Sequence, residues 1–160
     1  MLRWLSLNDA EFILELLNDR SWLQFIGDKG VRTAQDAHSY LLKGPIAMYA
    51  RVGFGLYLTE LKESCVPIGV CGLIKRDSLE DVDIGFAYLP RYWSKGYAYE
   101  SASAMMAYAR NVLVLRRIVA ITSPENAAST KLLGKLGLRF EKMVKLPHEP
   151  AEICLYASDA

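Results

Sequence analysis

Asp83–Glu100 reads DIGFAYLPRYWSKGYAYE, and this stretch sets the arrangement of the rest of the chain. Ile84, Phe86 and Tyr88 alternate with Asp83, Gly85 and Ala87, a period of two that predicts a strand over 83–89 with at least one buried face. Pro90 removes a backbone donor and pins φ, so the strand stops there or leaves its neighbour. After the polar run Ser94-Lys95-Gly96, Ala98, Ala102, Met105, Met106 and Ala109 fall on one face of a helix over 97–111. The order is strand, Gly-containing loop, helix. Free N–H groups and the positive dipole end at the helix start favour an anion there, with Arg91 and Lys95 flanking it. The same pattern also suits a simple connection. It is neither a GxxxxGK[ST] loop nor a GxGxxG fingerprint.

Working outward, Arg117–Ile121 is a short β-branched run. With the strand and helix before it, it predicts a right-handed βαβ unit with parallel strands. Phe54–Leu61 and Val66–Ile74, joined by Lys62–Ser64, read as a hairpin. Gly69 and Gly72 in its second strand suggest a bulge or a close backbone approach. Leu2–Leu5, Leu138–Val144 and Glu152–Ala157 are further strand candidates. Ser6 with Asp9 and Thr33 with Asp36 form capping boxes. The first opens a helix whose core face is Phe12, Ile13, Leu16 and Leu17. The second opens a helix expected to break at Gly44-Pro45. Ser21–Gly30 is less regular, with exposed-type aromatics Trp22 and Phe25 among turn residues, which equally suit closing the end of the core. Asn126 starts a last helix with Leu132, Leu133 and Leu136 on its apolar face, and Gly137 sits at its C-cap.

A length of 160 residues predicts one domain over 1–160, burying roughly two thirds of its unfolded surface. With 52% hydrophobic and 23% charged residues, the chain has an ordinary globular composition. Its net charge of +1 argues against a broad nucleic-acid footprint. No apolar run approaches a membrane span, and no signal-peptide pattern opens the chain. Cys65, Cys71 and Cys154 lack framework spacing, so buried, reduced thiols in a cytoplasmic protein are expected, with no metal site.

YWSKGYAYE, followed by NAASTKLLGKLGL, resembles the GNAT superfamily of N-acetyltransferases, and within it the RimJ/RimL-type branch typified by ribosomal-protein N-terminal acetyltransferases. The resemblance runs from the opening LRWLSLNDAEFI to the closing strand. It implies an α/β fold, a bent, mostly antiparallel mixed sheet of six or seven strands with a central splayed parallel pair and about four helices. It implies acetyl-CoA as acetyl donor, held by backbone amides of Ser94, Lys95, Gly96, Tyr97 and Ala98. The strand Phe86-Ala87-Tyr88 would pair with the pantetheine arm, and Asn126 would also touch the cofactor. Trp93 stands where the family's pyrophosphate motif usually has Gln or Arg. An anion held by backbone N–H groups tolerates that change.

Acetyl transfer to an amine requires loss of a proton from the amine, stabilisation of a developing oxyanion and protonation of the leaving thiolate. No protein nucleophile is needed. Where many family members have a Tyr acid, this chain has Leu133. The resemblance therefore assigns the thiolate role to Ser129, which otherwise reads as a helix-surface Ser. For the base, His148 and Glu149 rank first, in the loop that by resemblance closes over the acceptor. Asp81 and Asp83 lie on or just before the central strand, and Glu125 borders the cofactor helix. Glu100 reads as structural, near the first-turn dipole. The expected acceptor is a primary amine on a protein N-terminus or a small molecule, acted on by a monomer or homodimer. Two alternatives stay open: an inactive acyl-CoA-binding module, and another anion-binding α/β protein.

Overall fold

A computed structural model describes residues 1–147 and 149–159. Seven strands form one sheet: β1 (Leu2–Trp4), β2 (Leu56–Glu60), β3 (Pro67–Ile74), β4 (Val82–Tyr88), β5 (Ile118–Thr122), β6 (Arg139–Val144) and β7 (Ile153–Ala157). Their order is β1-β2-β3-β4-β5-β7-β6. All neighbours are antiparallel except β4 and β5, the expected parallel pair. The helices are α1 (Ala10–Asn18), α2 (Arg20–Phe25), α3 (Ala34–Leu41), α4 (Ala47–Val52), α5 (Tyr97–Asn111) and α6 (Ala127–Lys135). Six α-helices among the described residues compare with the about four expected; the additional ones are α2 and α4.

Strand alternation divides the core between the two sheet faces. Tyr57, Cys71, Ile84 and Ala120 meet Ala102, Met105, Met106 and Leu133 of α5 and α6. Leu58 and Val70 turn the other way, onto Ile13, Leu17, Trp22 and Leu41 of α1–α3. Both capping boxes form as read. Ser21–Gly30 is not irregular throughout. Asp19 caps Ser21 N–H at 2.9 Å and starts α2, whose Trp22 is only 6% exposed and closes the end of the core. The helix at 34–41 does not break at Gly44-Pro45. It widens into a π-helical turn over Leu42–Ile46 and continues as α4. The wider turn accommodates the proline ring that would clash with the carbonyl four residues back in a regular α-turn.

Gly72 is a close approach. A Cβ there would lie 2.1 Å from the carbonyl oxygen of Gly55, so β2 and β3 could not meet at this point with any other residue. Cys71 and Cys154 are buried, whereas Cys65 is exposed beyond the hairpin turn, contrary to expectation. Among the described residues, no helix is long and apolar enough to cross a membrane, and no cluster of His, Cys, Asp or Glu could hold a metal.

Candidate active site

The loop between β4 and α5 is shaped by Pro90, which opens a single 3₁₀ turn over Pro90–Tyr92. Beyond it Ser94 has φ +60° and Gly96 has φ +85°, ψ −7°; Gly96 is the N-cap of α5, and no side chain caps that helix. The last backbone bond before the loop is Trp93 N–H to Pro90 at 3.0 Å, and the first after it is Glu100 N–H to Gly96 at 3.0 Å. Between them the N–H groups from Ser94 to Tyr99 have no partner among the described residues. Such a run at the start of a 15-residue helix attracts an anion through both its donors and the helix dipole. Of the flanking cations, Arg91 is engaged with Glu15 at 2.8 Å, and Lys95 lies over the Tyr92 ring at 5.7 Å. Trp93 points back instead, its indole N–H donating to the Tyr88 carbonyl at 2.7 Å.

Beside this loop the sheet opens. β4 and β5 share only the pairs Val82–Ile118 and Asp83–Val119 before they part. β4 is buried over Val82–Ile84 and half-buried over Gly85–Ala87, where its neighbour has gone. Leu89 N–H bonds to Ile68 across β3, so the alternation of an antiparallel ladder turns the backbone groups of Ile84, Phe86 and Tyr88 away from β3, toward the gap. The Tyr88 carbonyl meets Trp93 there. The remaining groups form an open strand edge that an extended, amide-bearing ligand could pair with.

Across the gap stands the start of α6. Asn126 is its N-cap, its side-chain oxygen accepting from Ser129 N–H at 3.1 Å. Ser129 is half-buried and faces the gap one turn in, whereas Leu133 is buried in the core at 1% exposure.

A cavity of about 340 Å³ runs through the splay to the α1–α4 face of the sheet. Phe86, Ala87, Ser129 and Glu149 all line it. On its far wall are Trp22 and Phe25 of α2, Tyr40 of α3, and Pro45 and Met48 from the π-turn and α4. Tyr88, Asn126 and the Ser94–Ala98 turn lie outside this cavity. His148 lies outside the described residues.

Asp83 is the carboxylate the fold treats most unusually. It is 1% exposed, lines the cavity, and accepts from Arg76 Nε at 3.1 Å through Oδ2, while Oδ1 has no partner. Burial pushes its carboxyl up from the ordinary value of 3.8, only partly offset by the Arg76 charge and hydrogen bond. Asp81 faces away and pairs with Arg117 at 2.9 Å, so of the two only Asp83 reaches the cleft. Trp22 Nε1 is likewise buried without a partner. Asp83 was one candidate among several in the sequence, and Arg76 read only as part of a polar turn. The alternation of β4 set the side on which Asp83 lies, but its pairing with Arg76 is a tertiary contact.

The sequence pattern of the GNAT acetyltransferase domain matches residues 1–139. An N-acetyltransferase of Bacillus subtilis (strain 168), YnaD, described as uncharacterized, is 30% identical over 145 residues, 91% of this chain and 82% of that protein. The fold is similar to that of RimL, a ribosomal L7/L12 α-N-protein acetyltransferase solved with coenzyme A. The TM-score is 0.81 at 20% identity, covering 99% of this chain and 92% of that one. It is also similar to spermidine N-acetyltransferase from Vibrio cholerae, solved with coenzyme A and spermine, at TM-score 0.79 and 17% identity, covering 98% and 93%.

Proposed function

Since the chain belongs to the GNAT acetyltransferase family, we propose that it moves the acetyl group of acetyl-CoA onto a primary amine by direct attack. The observation that carries this reading is the run of partnerless N–H groups from Ser94 to Tyr99 at the mouth of the β4–β5 gap. These residues fit the cofactor: donors for a pyrophosphate at the helix start, and an open β4 edge for an extended arm. Acetyl-CoA, when bound, supplies the activated acetyl thioester.

The chain's own groups divide the remaining work. Ser94, Lys95, Gly96, Tyr97 and Ala98 hold the phosphates through their backbone. Phe86, Ala87 and Tyr88 align the arm, and Asn126 fixes the first turn of α6 so that Ser129 presents its hydroxyl to the gap. From there Ser129 can give a proton to a departing thiolate. Glu149, on the cavity wall, is positioned to take the amine's proton, directly or through a water. His148, its neighbour in sequence, is an equal candidate for that step. Trp93, bonded to the strand, packs rather than meeting phosphate.

The acceptor is a protein N-terminal amine, as in the RimJ/RimL-type branch whose YWSKGYAYE motif this chain resembles, or a small-molecule amine. The fold alone chooses neither, because RimL and the spermidine enzyme share it equally. A cytoplasmic setting, with reduced thiols and acetyl-CoA at hand, suits either acceptor. Purified protein given acetyl-CoA and a panel of N-terminal peptides and small amines should release free thiol with at least one of them. Tight coenzyme A binding without thiol release from any acceptor would instead support an inactive acyl-CoA-binding module.

A further inference from the structure

Among the described residues, four charged side chains line the cavity: Lys29, Arg76, Asp83 and Glu149. Arg76 and Asp83 pair with each other at 3.1 Å. The carboxylate next to Lys29 in the chain, Asp28, is taken by Arg32 and by the Gly30 N–H at 2.8 Å. Lys29 and Glu149 join no ion pair among the described residues. The cavity wall thus carries one unengaged primary amine and one unengaged carboxylate.

The fold brings that amine there. Lys29 lies in the turn between α2 and α3, where Gly27 at φ +111° and Gly30 at φ +71° redirect the chain on either side of it. Lys29 follows Trp22, Phe25 and Ile26 onto the cavity wall and is itself exposed, which sets it at the rim. No other lysine among the described residues lines the cavity. Its four-carbon stem is flexible, and about 340 Å³ is near the small end of ligand cavities, so the amine can swing across to the side that Phe86 and Ser129 line. An amine tethered in this way needs no diffusional encounter with the thioester.

We propose that Lys29 is a self-acetylation site: without a free acceptor, its side-chain amine takes the acetyl group of acetyl-CoA bound to the same molecule. The inference rests on the acetyltransferase reading and adds an internal acceptor to it. The ammonium gives a proton to Glu149, and the neutral nitrogen attacks the thioester carbonyl. An N–C amide bond forms as the C–S bond breaks. Of the two protons the nitrogen loses, one leaves through Glu149 to water, and the other ends on the departing sulfur by way of Ser129. The products are Nε-acetyl-Lys29 and free coenzyme A, and the rim loses its unengaged cation.

The test incubates purified protein with acetyl-CoA alone. Peptide mass mapping follows every lysine, a thiol assay follows coenzyme A release, and calorimetry measures coenzyme A binding. Lys29 should be acetylated at least roughly tenfold faster than any other lysine, at a first-order rate independent of protein concentration. An excess of free coenzyme A should suppress this reaction. Wild type should release about one equivalent of thiol per chain, and that release should vanish in Lys29→Arg, which keeps the charge but lacks the acetylatable amine. Equal rates at Lys29 and at other exposed lysines overturn the inference, as does thiol release that persists in Lys29→Arg. A rate that rises with protein concentration also overturns it, because the transfer then runs between molecules. If coenzyme A binds and Lys29 stays unmodified, the inference fails, and thiol release with an added amine shows whether the acetyltransferase reading stands. If coenzyme A does not bind, that reading falls and takes the inference with it.

Discussion

Replacing Gly96 by valine tests the cofactor loop at its most constrained point. Gly96 holds φ +85°, a region that favours glycine, and a Cβ built there meets nothing within 4 Å. The penalty is therefore conformational and not a clash with the protein. Holding a β-branched residue in the left-handed region costs about 1–3 kcal/mol. If the backbone relaxes to negative φ instead, the adjoining N–H groups turn away, and charge-assisted bonds worth about 1.5–3 kcal/mol each are lost. The first route predicts a loss of about 1–3 kcal/mol and the second about 3 kcal/mol or more, so coenzyme A affinity should fall by roughly tenfold to a hundredfold or more. Gly96→Ala, which faces the same φ without β-branching, should lose less, roughly tenfold. Trp93→Gln removes an indole that contacts Tyr88 and should leave the affinity within about threefold. Calorimetry with coenzyme A reads all three variants, and circular dichroism confirms that each is folded. A folded Gly96→Val that binds coenzyme A as tightly as wild type refutes the reasoning, because the anion then lies elsewhere.

Ser129→Ala should lower kcat while barely changing coenzyme A affinity, since its hydroxyl acts in the transition state; an unchanged kcat, where chemistry limits the rate, removes Ser129 from the mechanism. Glu149→Gln should lower kcat/KM by roughly a hundredfold at neutral pH, and steady-state rates close to wild type would transfer the base role to another group. Asp83→Asn should raise the melting temperature, and by more at pH 7 than near pH 4. Burial raises the folded-state pKa of Asp83 above its ordinary 3.8, so the folded protein holds that proton more tightly than the unfolded chain does. Stability contributed by this group therefore falls as pH rises from about 3.8 through the raised value, and the asparagine variant escapes that loss. Melting curves at the two pH values check it, and a variant less stable at pH 7 than at pH 4, relative to wild type, contradicts it.

The sequence by itself determined the elements whose pattern is local. α5 begins and ends where the Ala and Met periodicity places it, both capping boxes form, and β3 to β5 lie within a residue or so of the alternating runs. Such signals come from contacts between near neighbours in the chain, which composition and spacing record directly. Strand–loop–helix with Gly96 also made the loop with its unpaired N–H groups legible, because a helix start and a left-handed residue are both local facts. Where tertiary packing competes with local preference, the sequence misleads. Gly44-Pro45 reads as a helix end, yet the helix carries through it by widening one turn. Trp22 reads either as an exposed-type aromatic or as closing the end of the core, and α2 decides for the core. The buried carboxylate on the cavity wall was decided by the tertiary structure alone. Asp83 and Arg76 are seven residues apart along the chain and carry no spacing signal. They become an ion pair on the wall of the cavity that opens onto α2–α4 where β4 loses β5 as a neighbour, one residue beyond Asp83. The point at which two parallel strands diverge depends on the packing of both, and neither strand's own residues encode it.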